Sequence, residues 1–183
     1  MGAEYRKWDR FHLTYSIWNY NRELERDRQI EAVRWAIDLW QDATQFRFFP
    51  LPDRSEADIE LRWVDVPGGD HAWANPPPTS AGQEPSDGNC WFNLNRSWTV
   101  EYREDDREPL DFLTLCAHEL GHSIGIGHYC MFGVGLMTAP YRGSVRELGP
   151  TDIGCYRHLY EPEREPDSCC AYFSEEQREV TAC

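Results

Sequence analysis

Positive charge is scarce in this sequence, and lysine is almost absent from it. The 183 residues include 18 lysines and arginines against 32 aspartates and glutamates, and Lys7 is the only lysine. The resulting net charge of −14 repels the phosphates of nucleic acids and the headgroups of anionic membranes. We therefore expect neither a nucleic acid nor a membrane surface as a partner.

Long apolar runs are also missing. No run approaches the ~20 residues that a membrane-spanning helix needs. The first residues, MGAEYRKWDRF, lack the apolar centre of a signal peptide, which leaves an intracellular protein as one alternative. Seven cysteines favour an oxidising compartment instead, because disulfides commonly stabilise small secreted domains. We expect a secreted protein, a monomer, with no membrane insertion.

The apolar periodicity predicts a single mixed domain with a substantial core. Apolar residues alternate along the predicted strands 11–20 and 57–64. Further strands are predicted at 46–49 and 90–94, and a short extended piece at 71–75. Spacings of three and four residues mark the predicted helices, which are Arg26 to Trp40, one that begins near Pro109 in its first turn, and 149–160. This order predicts an α/β (α+β) domain in which two long helices back one twisted sheet.

The segment HELGHSIGIGH, residues 118–128, concentrates metal-binding side chains. Helix positions four apart differ by about 40° of rotation, so His118 and His122 project from one face. Gly125 lets the chain leave the helix with an unusual backbone angle, so that His128 can add a third nitrogen. Three protein nitrogens leave the fourth position of a tetrahedral zinc ion open for water, which is the catalytic arrangement.

A bare HExxH also arises by chance on helices, where it amounts to two exposed histidines and a solvated glutamate. The extended spacing HExxHxxGxxH is far more restrictive. It also places three of the six histidines of the chain within eleven residues. We therefore favour a zinc site in which Glu119, one residue round from His118, leans over the open position as a general base.

The wider sequence resembles a known family. HELGHSIGIGH followed by Met137 resembles the metzincin clan, and the chain as a whole is similar to the matrixin (matrix metalloproteinase) catalytic domain. The segments that match in order are HLTYSIWNY, AVRWAIDLWQDAT, ADIELRW, HAWA, FLTLCAHELGHSIGIGH, LMTAPY and LGPTDIGCYRHLY, which span roughly residues 7 to 160. The resemblance implies the zincin-like metzincin fold, with a mixed sheet, two long helices and a small C-terminal subdomain that holds a third helix.

The same resemblance implies a domain division. Residues 1–165 would form one metzincin catalytic domain. Its upper subdomain would extend to about residue 128, and its lower subdomain would comprise residues 129–165. Residues 166–183 would form an acidic tail that contains cysteines.

Further residue roles follow from the resemblance. Met137 would be the Met-turn residue beneath the metal; without the upstream motif it would be an ordinary gap-filling core methionine. Tyr141 would line the wall of the S1′ pocket, which receives the side chain after the scissile bond. If 71–75 is the exposed edge strand, an extended peptide would pair with its backbone. The substrate-binding residues of that strand would be His71, Ala72, Trp73 and Ala74.

The sequence departs from the family pattern at several positions. Tyr129 follows the third histidine, where matrixins usually have serine. Trp91 stands where the family has a ligand of a second, structural zinc. We therefore predict a single zinc, the catalytic one, and expect that His71 is an ordinary strand residue that binds no metal. Asn93 and Asn95 stand where aspartates would hold calcium, which leaves calcium open as a cofactor.

The cysteines are expected to have different roles. Cys116 is about 200° round the helix from His118, so we expect a small buried apolar side chain that faces away from the metal. Cys130 and Cys155 could join the segment after the third histidine to the last helix. Three more could staple the tail, namely Cys169, Cys170 and Cys183. One sequence does not determine these pairings.

The predicted activity is zinc-dependent hydrolysis of peptide bonds in proteins or peptides. A water molecule whose pKa zinc lowers to about 7 would attack the scissile carbonyl. Glu119 would take its proton and later deliver it to the leaving amine. One alternative is a non-catalytic domain that uses zinc for stability and binds a protein partner, although such a scaffold has no need of Glu119. Another, indicated by the missing signal peptide, is an intracellular metallopeptidase of narrow specificity.

Overall fold

A computed structural model describes residues 6–79, 82–128 and 135–161, together with the backbone of residues 181–182. It confirms the α/β fold class and the zincin-like arrangement of one mixed sheet and three helices. The strands are β1 His12–Ile17, β2 Arg47–Pro50, β3 Ile59–Val64, β4 Ala72–Ala74, β5 Cys90–Asn93, β6 Trp98–Thr99, β7 Leu110–Asp111 and β8 Thr181–Ala182. The helices are α1 Arg26–Ala43, α2 Phe112–Ser123 and α3 Pro150–Tyr160.

The main sheet has the order β2-β1-β3-β5-β4-β8. Strands β2, β1, β3 and β5 are mutually parallel, and β4 pairs antiparallel with β5. The condition that 71–75 forms an exposed edge strand is not met here, because β8 pairs with the outer side of β4, with Trp73 opposite Ala182 and Ala74 opposite Thr181. An edge strand offers unpaired N–H and C=O groups, and this one has accepted a second antiparallel strand.

Helix α1 packs against α2 through its apolar stripe. The buried members of that stripe include Ala32, Val33, Ala36, Ile37 and Trp40, as the three- and four-residue spacing predicts. Trp40 also donates its indole N–H to the carbonyl of Ala117 on α2 at 2.8 Å. This bond satisfies a buried polar group and fixes the two helices in register where α2 carries its histidines.

Helix α2 begins later than the sequence suggested. Pro109 does not open the helix, because Leu110 and Asp111 form β7, which pairs in parallel with β6. Asp111 is the N-cap instead, and its carboxylate accepts the backbone N–H of Leu113 at 3.1 Å. The capping carboxylate, and not the proline, therefore sets the first turn of the helix.

The described helices include none that is long and apolar enough to cross a bilayer. Cys90 and Cys116 are buried free thiols, so the expected burial of Cys116 is confirmed. Cys155 is buried in α3. Tyr129 and the cysteines at 130, 169, 170 and 183 lie outside the described residues, so the predicted pairings stay predictions.

Candidate functional site

Three histidine side chains meet at the C-terminal half of α2. His118 and His122 are buried on the helix, and His128 lies beyond its end with partial exposure. The Nε2 atom of His128 is 3.0 Å from Nε2 of His118 and 3.2 Å from Nε2 of His122. One candidate metal-binding atom from each residue lies within 4.8 Å of the others. The structure thus brings together the three residues that the spacing predicts.

Backbone carbonyl groups orient two of these rings. Nδ1 of His118 is 2.6 Å from the carbonyl oxygen of Leu136, and Nδ1 of His122 is 2.7 Å from that of Ile126. A carbonyl oxygen only accepts hydrogen bonds, so each Nδ1 carries the proton and donates. Each Nε2 then presents a lone pair towards the shared centre, as in histidines that ligate metals.

This donor set fits zinc. A tetrahedral zinc with Zn–N bonds of about 2.0–2.1 Å separates its ligand nitrogens by roughly 3.3 Å. The observed Nε2 separations of 3.0 and 3.2 Å come close to that spacing. Neutral lone pairs so close together repel unless a cation lies between them, so the arrangement suits a bound metal.

Burial keeps the three imidazoles neutral. It lowers the pKa of His118 to about 3, with a further decrease caused by the nearby His128. Burial also lowers the pKa of His122 well below its usual value, and lowers that of His128. The neutral ring is the form that binds a metal, so the site is ready for one at neutral pH.

Glu119 lies next to His118 on α2, and its carboxylate is fully buried. Its neighbour Ser123 donates a hydrogen bond to the Glu119 backbone carbonyl at 3.1 Å, one turn further along the helix. The helix therefore holds the general-base candidate next to the imidazole cluster on a rigid backbone.

Gly125 makes the bend that brings His128 back. Its φ of +94° is accessible to glycine and strained for other residues. A Cβ atom added there would lie 2.5 Å from the backbone oxygen of Arg6 and 3.0 Å from Leu159. Both the backbone angle and the close packing therefore require glycine, which explains this position of the motif in physical terms.

Met137 lies below α2 and is completely buried. A Cβ atom added to Gly121 would overlap the Met137 sulfur and approach the Trp40 ring to 2.8 Å. The sulfur therefore packs directly on the turn of α2 between His118 and His122. The contact gives a physical reason for glycine at position 121, which the sequence analysis had not explained. The expectation that Met137 lies beneath a bound metal stays a prediction.

Asp152 of α3 supports the cluster from the other side, and sequence reasoning missed this role. Its fully buried carboxylate accepts the backbone N–H groups of Leu136 and Met137, each at 3.0 Å, and that of Gly149 at 2.7 Å. Leu136 in turn accepts the Nδ1 proton of His118. The available signal was an aspartate in the first turn of the predicted helix 149–160. A negative charge at that place also has an ordinary explanation, which is its favourable interaction with the helix dipole.

A second buried carboxylate, Asp111, organises the segment around Tyr141. The Tyr141 hydroxyl accepts the Asp111 backbone N–H at 3.1 Å, and the ring is largely buried. Arg146 pairs with both carboxylate oxygens of Asp111 at 3.1 Å, and Ser144 donates its hydroxyl to the same group at 2.5 Å. Tyr141, Ser144 and Arg146 are thereby tied to the start of α2, a role of Asp111 that the sequence analysis did not identify.

The expected substrate strand is shorter than predicted. Ala72, Trp73 and Ala74 form β4, whereas His71 precedes it and is half-buried. Trp73 stacks on Trp91 of β5 with ring centroids 5.8 Å apart. Burial lowers the pKa of His71, and the charge of Arg96 lowers it further.

Comparisons with known proteins agree with this geometry. The chain is 30% identical to interstitial collagenase of Sus scrofa over 173 residues, which cover 87% of this chain and 34% of that protein. It is 29% identical to karilysin of Tannerella forsythia over 166 residues, or 84% of this chain and 33% of that protein. It is 33% identical to stromelysin-1 of Equus caballus over 132 residues, or 67% of this chain and 25% of that protein.

The chain thus spans about a third of the length of the first two of these relatives. The sequence profile of the matrixin family matches residues 7–161, which include every strand of the sheet except β8, all three helices and the histidine cluster. With the fold, the three convergent imidazoles and this match in agreement, the chain belongs to the matrixin family of metallopeptidases.

Proposed function

We propose that this protein is a zinc-dependent endopeptidase. The single observation that carries the proposal is the convergence of three Nε2 lone pairs, with two separations of 3.0 and 3.2 Å, beside a buried carboxylate. His118, His122 and His128 would hold one zinc ion, and Glu119 would be the general base. Membership of a metallopeptidase family supports this assignment.

Glu119 carries the proton chemistry of the proposed mechanism. Bound zinc would supply a Lewis acid that lowers the pKa of a water ligand to about 7 and polarises the scissile carbonyl. The Glu119 carboxylate takes a proton from the attacking water and then gives it to the nitrogen of the leaving amine. The carbonyl groups that hold His118 and His122 keep their rings in the ligating tautomer throughout.

The edge of β4 would bind the substrate backbone. This edge already accepts one antiparallel strand, β8, which supports its use by an extended peptide. The contacts would come from His71, Ala72, Trp73 and Ala74. Backbone pairing does not distinguish between side chains, so the selectivity for substrates would come from the side-chain pocket that Tyr141 lines. We expect a large apolar residue directly after the scissile bond.

The proposal extends to organisation and location. We propose one catalytic domain in residues 1–165, with an upper subdomain to about residue 128, a lower subdomain in 129–165, and a tail in 166–183. We propose further that the protein acts as a secreted monomer, with Cys155 paired to Cys130. The burial of Cys155 in α3 supports a structural role for that bond.

The test separates catalysis from metal binding. Zinc content and casein cleavage are measured for the parent and for Glu119→Ala. We expect one zinc per chain in both, with cleavage reduced at least about 10²-fold in the variant because its general base is gone. If the unmutated protein holds zinc but cleaves no member of a peptide library, the proposed peptidase activity is refuted and a zinc-stabilised binding domain is indicated.

A further inference from the structure

The loop between β3 and β4 turns backbone carbonyl groups towards two side chains, one at the last residue of β5 and one shortly after it. Asn93 donates both N–H bonds of its amide, to the carbonyls of Val66 at 2.8 Å and Asp70 at 2.9 Å. Arg96 donates to the carbonyl of Gly69 at 2.8 Å. Three carbonyls of one short loop are therefore held by two neighbouring side chains.

The orientation of the Asn93 amide is determined by its surroundings. Its Oδ1 accepts the backbone N–H of Asn95 at 2.9 Å, so the oxygen is on that side and the NH₂ group faces the loop. The side chain is completely buried. The backbone of Asn93 is also engaged, since its N–H donates to His71 and its carbonyl accepts the indole N–H of Trp98. Asn93 therefore has no donor left for another partner.

Arg96 is also oriented by contacts on both sides. Its guanidinium is 3.5 Å from a carboxylate oxygen of Glu108. The other carboxylate oxygen of Glu108 accepts the backbone N–H of Ser97 at 3.1 Å. The Arg96 side chain is 31% exposed, so most of it is shielded from bulk water. These contacts direct one N–H of the guanidinium towards Gly69.

This arrangement does not fit calcium. Calcium requires six to eight oxygen ligands at about 2.3–2.6 Å. Here the loop carbonyls already accept N–H groups, and the guanidinium of Arg96 places a positive charge beside them. Asn95 also presents an amide rather than a carboxylate, and that amide donates to Asp65 at 2.6 Å. A divalent cation would meet donors and a like charge in place of a ligand shell.

We propose that Asn93 and Arg96 take the place of a divalent cation in this protein. Their N–H groups hold the loop by hydrogen bonds to the carbonyl oxygens of residues 66, 69 and 70. The loop leads directly into β4, whose first residue is Ala72. Asn93 also holds His71 from its backbone. The two side chains therefore position β4 without calcium. The effect on substrate binding that we infer from this rests on the proposed function.

The first test measures calcium dependence without using activity. Glu119→Ala protein, which cannot digest itself, is loaded with zinc in calcium-depleted buffer and melted with and without millimolar calcium. We expect the same midpoint in both, and no calcium uptake by titration calorimetry. A midpoint raised by calcium by more than about 3 °C, or one calcium bound per chain, would overturn the proposal.

The second test reverses the donor set. Asn93→Asp combined with Arg96→Glu converts N–H donors into carboxylates that face the same carbonyls. We expect a lower melting midpoint without calcium and recovery when calcium is added, with calcium binding visible by calorimetry. If the double variant melts like the parent in calcium-depleted buffer, these side chains do not hold the loop and the inference fails.

The third test asks whether Arg96 positions the substrate strand. Arg96→Ala should raise KM for a casein-derived peptide about tenfold and change kcat little, because β4 is displaced while the zinc cluster is intact. Arg28→Ala is the matched control, since it removes a surface arginine that pairs with Glu101 at 2.9 Å. Equal KM values for Arg96→Ala and the control would contradict the positioning role. Failure of the proposed function would instead appear as an inactive parent whose calcium-independent melting is unchanged.

Discussion

Replacement of Asp152 by asparagine tests how the fold supports its imidazole cluster. One oxygen of Asp152 accepts Met137, and the other accepts both Leu136 and Gly149. Asparagine keeps one acceptor, so its best orientation retains two bonds and turns an NH₂ group towards the Met137 N–H. A buried donor left unsatisfied costs about 1–3 kcal/mol, and the two remaining bonds lose their charge assistance.

The combined destabilisation is about 3 kcal/mol, which lowers the melting midpoint of a domain of this size by roughly 6–12 °C. Leu136 holds the His118 ring, so zinc affinity should fall by about 10–100-fold as well. Circular dichroism melts and competition with a chromophoric zinc chelator measure the two effects. Asp27→Asn is the control, because Asp27 occupies the first turn of α1 but is exposed. If Asp152→Asn matched this control in both assays, the supporting role would be refuted.

Three other perturbations have defined outcomes. Gly121→Ala should lower the free energy of unfolding by about 1–3 kcal/mol in urea, since its methyl group overlaps Met137 and Trp40; an unchanged midpoint would contradict the packing. Burial raises the pKa of Cys90 and Cys116, so iodoacetamide should label neither in the native zinc-loaded protein and both after unfolding, as read by peptide mass mapping. Burial lowers the pKa of His118 to about 3, so the zinc-free unfolded chain binds a proton that the folded chain does not. The stability of zinc-free Glu119→Ala protein should therefore be fully present above about pH 6.5 and decrease as pH falls, by up to about 1.4 kcal/mol per pH unit for each such histidine; a flat profile between pH 7.5 and 5 would contradict it.

The sequence predicted the parts of the molecule that are encoded locally. The helix spacing of His118 and His122 and the glycine bend before His128 are local geometry, and the structure brings these three residues together as expected. The helical stripe of α1 and the alternation in β1 and β3 were predictable for the same reason. Periodicity identifies elements that bury one face, whatever the rest of the chain does.

The parts that were missed depend on contacts between distant residues. Asp152 accepts a hydrogen bond from Leu136, and Asp111 forms an ion pair with Arg146. These residues are too far apart in the sequence for a periodic pattern to indicate the contacts. The parallel pair β6–β7 consists of two-residue strands, which are too short to show alternation. The start of α2 was predicted at Pro109 because proline is common in the first turn of a helix. That preference does not show which neighbouring residue is the N-cap.

The β8–β4 pair has a consequence for any measurement of substrate binding. Thr181 and Ala182 lie along the backbone edge at which we propose that a peptide pairs, so an incoming peptide would first have to displace them. The apparent affinity is then the intrinsic affinity reduced to the fraction of molecules in which that edge is open. A chain shortened before Thr181 should bind peptides more tightly than the full chain, and its advantage would report how often the edge opens.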